Sequence, residues 1–254
     1  MSKTILITGA SSGIGGASAR IFAKNGCRLI LNARRKERLI TLKKELEKDY
    51  NAEIHLLPFD VRDQKSVEEN INSLPKEWNS INILLNNAGL ALGLGTIDQG
   101  SIEHWDTMID TNVKGLLYVS KATIPLLKKD GTGQIINIGS IAGKEVYDNG
   151  NVYCATKHAV DALTKAMRLD LATIPIRVSA VHPGAVETEF SLVRFEGDNQ
   201  KAKDAYKGYD NLVAQDIAEA VLWVSDRPKH VNINELTIMP TAQPKAGTVI
   251  KNKA

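Results

Sequence analysis

Cysteine is scarce in this chain: its 254 residues include two, Cys27 and Cys154. Two are too few for a disulfide framework, and both read as packing residues of a cytoplasmic protein. No apolar run reaches the ~18–20 residues of a membrane span. The N-terminus offers one lysine and then a strand, not a secretory leader with its cleavage site. Charge of one sign is also missing. Lysine and arginine number 32 against 29 aspartates and glutamates, a formal net charge of +3. Interspersed charges of this kind point neither to nucleic acid nor to a membrane surface. The five histidines are scattered, without the spacing of metal ligands, so no metal is expected. There is no internal repeat, low-complexity segment or linker.

What is present is a regular rhythm. Short apolar runs at 4–8, 28–32, 53–57, 81–85, 134–138, 177–181 and 236–239 read as strands. Helical patterns lie near 14–24, 36–48, 64–74, 102–128, 151–173 and 215–226. Strands alternating with helices imply a parallel sheet covered on both faces. The expectation is a single α/β domain over 1–254. Residues 190–212 break the rhythm. They are polar and charged, and they follow the sixth strand as either a functional insertion or a plain surface excursion.

Two motifs carry chemistry. The run Thr4–Thr8 leads straight into Gly9-Ala10-Ser11-Ser12-Gly13-Ile14-Gly15, and a helical pattern follows. Glycines let the backbone turn tightly beside a pyrophosphate, and the helix N-terminus turns free N–H groups towards it. The spacing is G-x-x-x-G-x-G, not the more familiar G-x-G-x-x-G. Further on, Tyr153 and Lys157 stand one helical turn apart, thirteen residues after Ser140. A neighbouring ammonium favours the phenolate and is expected to lower the phenol from its ordinary pKa of about 10. Tyr153 is therefore a candidate acid/base.

Thr8–Gly15, Asn86-Asn87-Ala88-Gly89, Asn112, Ser140, Tyr153, Lys157 and Pro183-Gly184 together resemble the short-chain dehydrogenase/reductase family in order and spacing, over residues 3 to about 240. The resemblance implies a Rossmann-like, doubly wound, seven-stranded parallel sheet with a substrate lid at about 190–212. It implies a nicotinamide cofactor held by Gly9, Ser11, Ser12, Gly13, Ile14 and Gly15. Asp60 is expected at the adenine, with Val61 lining its pocket. The backbone of Asn87, Ala88 and Gly89 is expected to pass the ribose, and Asn86 to be structural. Tyr153 and Lys157 contact the nicotinamide half. Pro183, Gly184, Val186 and Thr188 cup its ring. His182 receives no catalytic role.

The end of the second strand decides the cofactor. An acid there binds the ribose hydroxyl of NAD, while arginine accommodates the phosphate of NADP. This chain reads Asn32-Ala33-Arg34-Arg35. Arg34 and Arg35 offer planar donor forks suited to phosphate. The bland alternative is two solvated charges opening a helix, but cations are unfavourable there. NADP(H) is the expected cofactor.

By the same resemblance, Tyr153 exchanges a proton with the substrate oxygen and Ser140 donates to that oxygen. Lys157 stabilises the phenolate, and Asn112 joins it through water in a relay. Asparagine is disfavoured within helices; a helix kink is the other reading of Asn112. The lid sequence Thr188–Asp198 and the segments 90–93, 150–153 and 230–235 are similar to NADP-dependent 3-hydroxy acid dehydrogenases, serine and L-allo-threonine dehydrogenases among them. The implied substrate is a small hydroxy acid or its carbonyl partner, malonic semialdehyde for example. Its carboxylate needs a cation. Arg194 in the lid is the first candidate, with a lid salt bridge as its alternative, and Lys144 and Tyr147 follow. Two rival readings stay open: a reductase of an uncharged ketone, sulfonated aldehyde or 3-oxoacyl thioester, and a non-catalytic NADP-binding regulator. Apolar residues on 102–128 and 151–173 are either intrachain core or, as in relatives, the contacts of a homotetramer built as a dimer of dimers.

Overall fold

The computed structural model describes residues 2–127, 131 and 133–251. Among the described residues nine strands run in chain order: β1 Thr4–Ile7, β2 Arg28–Asn32, β3 Ile54–Leu57, β4 Ile83–Asn86, β5 Gln134–Ile138, β6 Arg177–Pro183, β7 Val186–Glu187, β8 Leu212–Val213 and β9 Glu235–Ile238. Seven form one parallel sheet in the order β3-β2-β1-β4-β5-β6-β9; β7 and β8 pair separately. The expected strands all occur, each within two residues of its expected bounds.

The helices are α1 Gly13–Lys24, α2 Lys36–Tyr50, α3 Gln64–Asn72, α4 Ile102–Ile109, α5 Leu116–Leu127, α6 Asn151–Asp170, α7 Phe190–Arg194, α8 Asn199–Asp204 and α9 Ala214–Ser225. Strand side chains alternate between the two faces. Ile5 and Ile7 of β1 join a core with Phe22 of α1, Leu39 of α2 and Val221 of α9. Leu6 joins the opposite core with Val67 of α3, Val119 of α5 and Val160 of α6. Each fully buried Leu or Ile stabilises the fold by about 1.5–3 kcal/mol. The two covered faces explain why the strands read as unbroken apolar runs.

Three differences bear on the site. The helix expected over 102–128 is interrupted by a π turn at Asp110–Gly115, and its last expected residue lies outside the described ones. Such wide turns are frequent at functional positions. The helix expected to reach 173 stops at Asp170; Pro175 follows closely and disfavours helix in the residue before it. The segment 190–212 is not structureless: it holds α7 and α8.

Strand order reverses on either side of β1, between β2 and β4. Loops leaving the carboxyl ends of neighbouring strands diverge at such a point and leave a crevice. The glycine loop after β1 opens into it.

Candidate active site

The crevice is a cleft of about 330 Å³, and every expected cofactor residue except Gly15 lines it. The glycine loop is shaped by its own backbone. Gly9 and Gly13 have φ of +66° and +52°, a region in which a Cβ is costly. Gly15 lies behind the loop, where a side chain would collide with the Gly9 carbonyl and the Asn87 amide. Asn87 donates to the carbonyls of Thr8 (2.9 Å) and Gly9 (3.2 Å). Thr8 Oγ1 in turn accepts from the amides of Asn87 and Ala88, both at 3.0 Å. The side chain of Asn87 thus braces the loop, and its backbone faces the cleft. Asn86 is buried and donates to Ser120 and Asn137 at 2.9 Å each, the structural role expected of it. This cradle, open where the backbone must approach a ligand closely, fits a dinucleotide.

At the far end of the cleft, Arg35 donates to the hydroxyls of Ser11 and Ser12, both at 3.2 Å. Arg34 lies 3.9 Å from Asp60. Asp60 also accepts from Arg62 at 2.7 Å. Burial opposes its ionisation, yet the Arg62 guanidinium and amide hold its carboxyl below the usual range. Two further residues join this end. Arg38 donates to both oxygens of Glu189 at 2.7 and 2.8 Å, and Arg35 reaches the same carboxylate at 3.4 Å. Arg38 belongs to the basic run Arg34–Arg38, one turn along α2, so its signal was present in the sequence. Nothing local pointed to Glu189, which arrives from the distant lid.

The reacting groups converge at the other end. Ser140, Tyr153, Lys157 and Asn112 are all buried. The Ser140 hydroxyl lies beside the Tyr153 phenol and favours the phenolate, while Ser140 Oγ accepts from the Ala142 amide at 3.1 Å. The expected lowering of the phenol is not found. Burial is the largest influence and pushes Tyr153 well above its ordinary range; the cation that opposes it is Arg194, not Lys157. Burial brings Lys157 down to about 8, and its Nζ donates to the Ile138 carbonyl at 2.9 Å. Desolvation is the largest influence on both groups.

Asn112 sits in the π turn. Its side chain accepts from Leu90 N (2.9 Å) and donates to Leu90 O (2.8 Å) and Thr156 Oγ1 (3.0 Å). It stitches the turn to the loop after β4 and to α6, and its amide has nothing left for a relay. Gly89 passes between Asn112 and Lys157: a Cβ there would lie 3.2 Å from one and 3.6 Å from the other.

Beside Tyr153 opens a second cavity of about 190 Å³, lined among others by Trp105, Asn151, Tyr153 and Arg194. Arg194 donates to the Tyr147 hydroxyl at 2.7 Å and to the Gly93 carbonyl at 3.3 Å. Its guanidinium carbon stands 5.5 Å from the ring centres of both Tyr147 and Tyr153. Among the described residues its hydrogen-bond partners are a phenol and a carbonyl, not a lid carboxylate. Phe190, from the same short helix, meets Tyr153 edge-on at 5.6 Å. Lys144 is not part of this cavity. It donates to Asp161 at 2.7 Å and to Glu235 at 2.6 Å on the far side of the Ser140 loop.

Comparison with known proteins agrees with this geometry. A family model described as short chain dehydrogenase matches residues 3–198. The chain is 47% identical over 244 residues to an NADP-dependent 3-hydroxy acid dehydrogenase of Escherichia coli O6:H1, covering 96% of this chain and 97% of that one. It is 45% identical over 253 residues to a protein of the same description from Schizosaccharomyces pombe, covering 99% and 98%. A solved structure described as the closed form of serine dehydrogenase complexed with NADP+ superposes with a TM-score of 0.91 at 46% identity, covering 98% of this chain and all of that one.

Proposed function

The chain belongs to the short-chain dehydrogenase family, and on that premise we propose that it is an NADP-dependent oxidoreductase of small 3-hydroxy acids. The reaction class is oxidation of a CH–OH group, or reduction of the matching carbonyl, as in serine, L-allo-threonine or the pair 3-hydroxypropionate and malonic semialdehyde. The full-length relatives carry that activity in their descriptions. The observation that carries the reading to a carboxylate substrate is Arg194, a lid guanidinium in the cavity that Tyr153 also lines. A guanidinium binds a carboxylate through two parallel hydrogen bonds.

When bound, NADP(H) supplies or accepts the hydride. Gly9, Ser11, Ser12, Gly13 and Ile14 form its pyrophosphate cradle, and Gly15 lets the loop pack closely behind them. Arg34 and Arg35 take the ribose phosphate, with Asp60 and Val61 at the adenine. Asn87, Ala88 and Gly89 run along its middle, and Pro183, Gly184, Val186 and Thr188 close over its nicotinamide. Thr188 already meets Gly13 across the cleft: a Cβ on Gly13 would lie 3.4 Å from it.

Proton handling falls to the chain itself. The raised phenol of Tyr153 is protonated at neutral pH and donates to the substrate oxygen in the reductive direction. In the oxidative direction the phenol first gives its proton to the relay, and the phenolate then takes the hydroxyl proton. Ser140 donates to the same substrate oxygen and holds the phenol in line. Lys157, still largely charged at pH 7, compensates the phenolate as it forms. Asn112 serves a relay through its backbone, because its side chain is engaged; a π turn leaves a main-chain carbonyl free of the α-helical pattern.

We further place the protein in the cytoplasm as a homotetramer. Both cysteines are free. The apolar residues foreseen on the long helices divide between two uses. Leu116, Val119 and Leu127 are core, while Leu117, Ala162, Ala166 and Leu169 are exposed and available to a second copy. No helix of the described residues is long and apolar enough to cross a membrane.

The test is absorbance at 340 nm with NADP and L-serine, D-serine, L-allo-threonine, 3-hydroxypropionate and 3-hydroxyisobutyrate. The reverse direction uses NADPH with malonic semialdehyde, a diketone and a 3-oxoacyl thioester. Activity confined to the small acids is the expected result. Activity on uncharged carbonyls alone would discard the carboxylate pocket and leave Tyr153 and Lys157 in their roles.

A further inference from the structure

Behind the reacting groups lies a buried histidine that the mechanism above does not use. His182 is the sixth residue of β6 and fully enclosed. Its Nδ1 lies 3.3 Å from the main-chain carbonyl of Ser140. A carbonyl only accepts, so Nδ1 must carry the proton. Among the described residues its Nε2 has no hydrogen-bond partner; it faces Asp161 Oδ1 at 3.7 Å. That carboxylate is already held by Lys144 at 2.7 Å and by Lys165 at 2.8 Å. Glu235 completes the cluster, accepting from Lys144 at 2.6 Å and standing 3.5 Å from Lys165.

Asp161, His182 and Glu235 could between them ligate a metal, since their donor atoms lie within 4.8 Å of one another. A cation already stands there, however: the Lys144 ammonium contacts both carboxylates. Burial, and after it the Lys144 charge, keeps His182 below its ordinary pKa. Asp161 Oδ1, at 3.7 Å, is too far to accept a hydrogen bond from Nε2, and its charge is already met by Lys144 and Lys165. The neutral ring with its proton on Nδ1 keeps the one hydrogen bond within reach, to the Ser140 carbonyl.

The consequence falls on Ser140. Asp161 lies two turns after Tyr153 and one after Lys157 on the same face of α6. Lys144 ends the short 3-10 turn that Ser140 caps. The Gly139 amide donates to Val181 at 2.8 Å, and a side chain at Gly139 would collide with the His182 ring. The loop 139–144 is therefore anchored at its start by β6, at its end by Asp161 and Glu235, and in the middle by His182. That middle contact sits on the residue whose hydroxyl meets the Tyr153 phenol.

We propose that His182 is a positioning residue: its Nδ1–H holds the Ser140 carbonyl so that Ser140 Oγ stays aligned with Tyr153. The proposal rests on the reading of Ser140 as donor to the substrate oxygen. It assigns no proton transfer to the ring.

The test compares His182→Asn with His182→Gln. Asparagine places an amide N–H close to the position of Nδ1, and glutamine places one near Nε2. The expected result is a kcat about tenfold or more lower for H182Q, as a misaligned group brings, and recovery to within about threefold for H182N. KM for the hydroxy acid and Kd for NADPH stay within about twofold in both. Amide hydrogen exchange over 139–144 accelerates in H182Q and not in H182N. Equal kcat in the two variants, whether high or low, would overturn the proposal, as would a parallel loss of NADPH binding. If H182Q does not fold, the nitrogen NMR shifts of the wild-type ring decide: an Nε2–H tautomer or an imidazolium at pH 7 overturns it. Exchange and NMR need no substrate. A wild type that turns over no hydroxy acid would sink the proposed function and leave these two readouts standing.

Discussion

Arg194 donates to the hydroxyl of Tyr147 at 2.7 Å while its guanidinium carbon stands 5.5 Å from the Tyr153 ring centre. One residue of the lid thus spans two tyrosines that flank the reacting position. A charge-assisted hydrogen bond contributes about 1.5–3 kcal/mol. Arg194→Ala should therefore raise KM for a 3-hydroxy acid roughly ten- to a hundredfold, and KM for an uncharged ketone far less. Steady-state kinetics on both substrates decides it; equal effects would remove the carboxylate role.

Tyr153→Phe keeps the ring against Phe190 and deletes the hydroxyl that Ser140 meets. Loss of a general acid/base lowers turnover by about two to four orders of magnitude. The Kd for NADPH, measured by fluorescence titration, should stay close to that of the wild type. Surviving turnover would show that another group carries the proton.

The arginine end of the cleft makes opposite predictions for two neighbours. Arg35→Ala removes a guanidinium beside Ser11 and Ser12. It should raise KM for NADPH about tenfold, as loss of a charged hydrogen bond does, with little change for NADH. Glu189→Gln frees Arg35 and Arg38 from a carboxylate that competes with phosphate. These side chains are half-exposed, so the gain is modest, about two- to fivefold in NADPH affinity. A wild-type KM lower for NADH than for NADPH would contradict the NADP assignment.

Lys157 gives stability a pH dependence. Its folded pKa is about 8 against an ordinary 10.5, so between these values the unfolded chain binds more protons. Stability then rises with pH across that window, by up to about 1 kcal/mol per unit. The raised thiols of Cys27 and Cys154 act in the opposite sense near pH 9, and the raised phenol of Tyr153 does so above pH 10. The comparison with Lys157→Met cancels these. In urea unfolding of the cofactor-free protein, wild type should gain on Lys157→Met from pH 8 to 10. Parallel pH profiles would show that Lys157 is not the group responsible.

The sequence by itself determined whatever depends on local period. Alternation of apolar runs gave the order of strands and helices, the spacing Gly9–Gly15 gave the cradle, and an interval of four placed Tyr153 and Lys157 on one face of α6. These follow from backbone geometry, which any short stretch of chain carries with it. Tertiary structure decided what depends on closure. Lys144 looked like a pocket cation beside Tyr153, yet its ammonium lies behind the loop, on Asp161 and Glu235. Tyr153 and Lys157 looked like a pair tuned by attraction, yet burial sets both pKa shifts. Glu189 meets Arg38 across 151 residues, Arg194 meets Tyr147 across 47, and His182 meets Ser140 across 42. Such contacts are not written in any spacing, because they form only when distant segments converge at the carboxyl edge of the sheet.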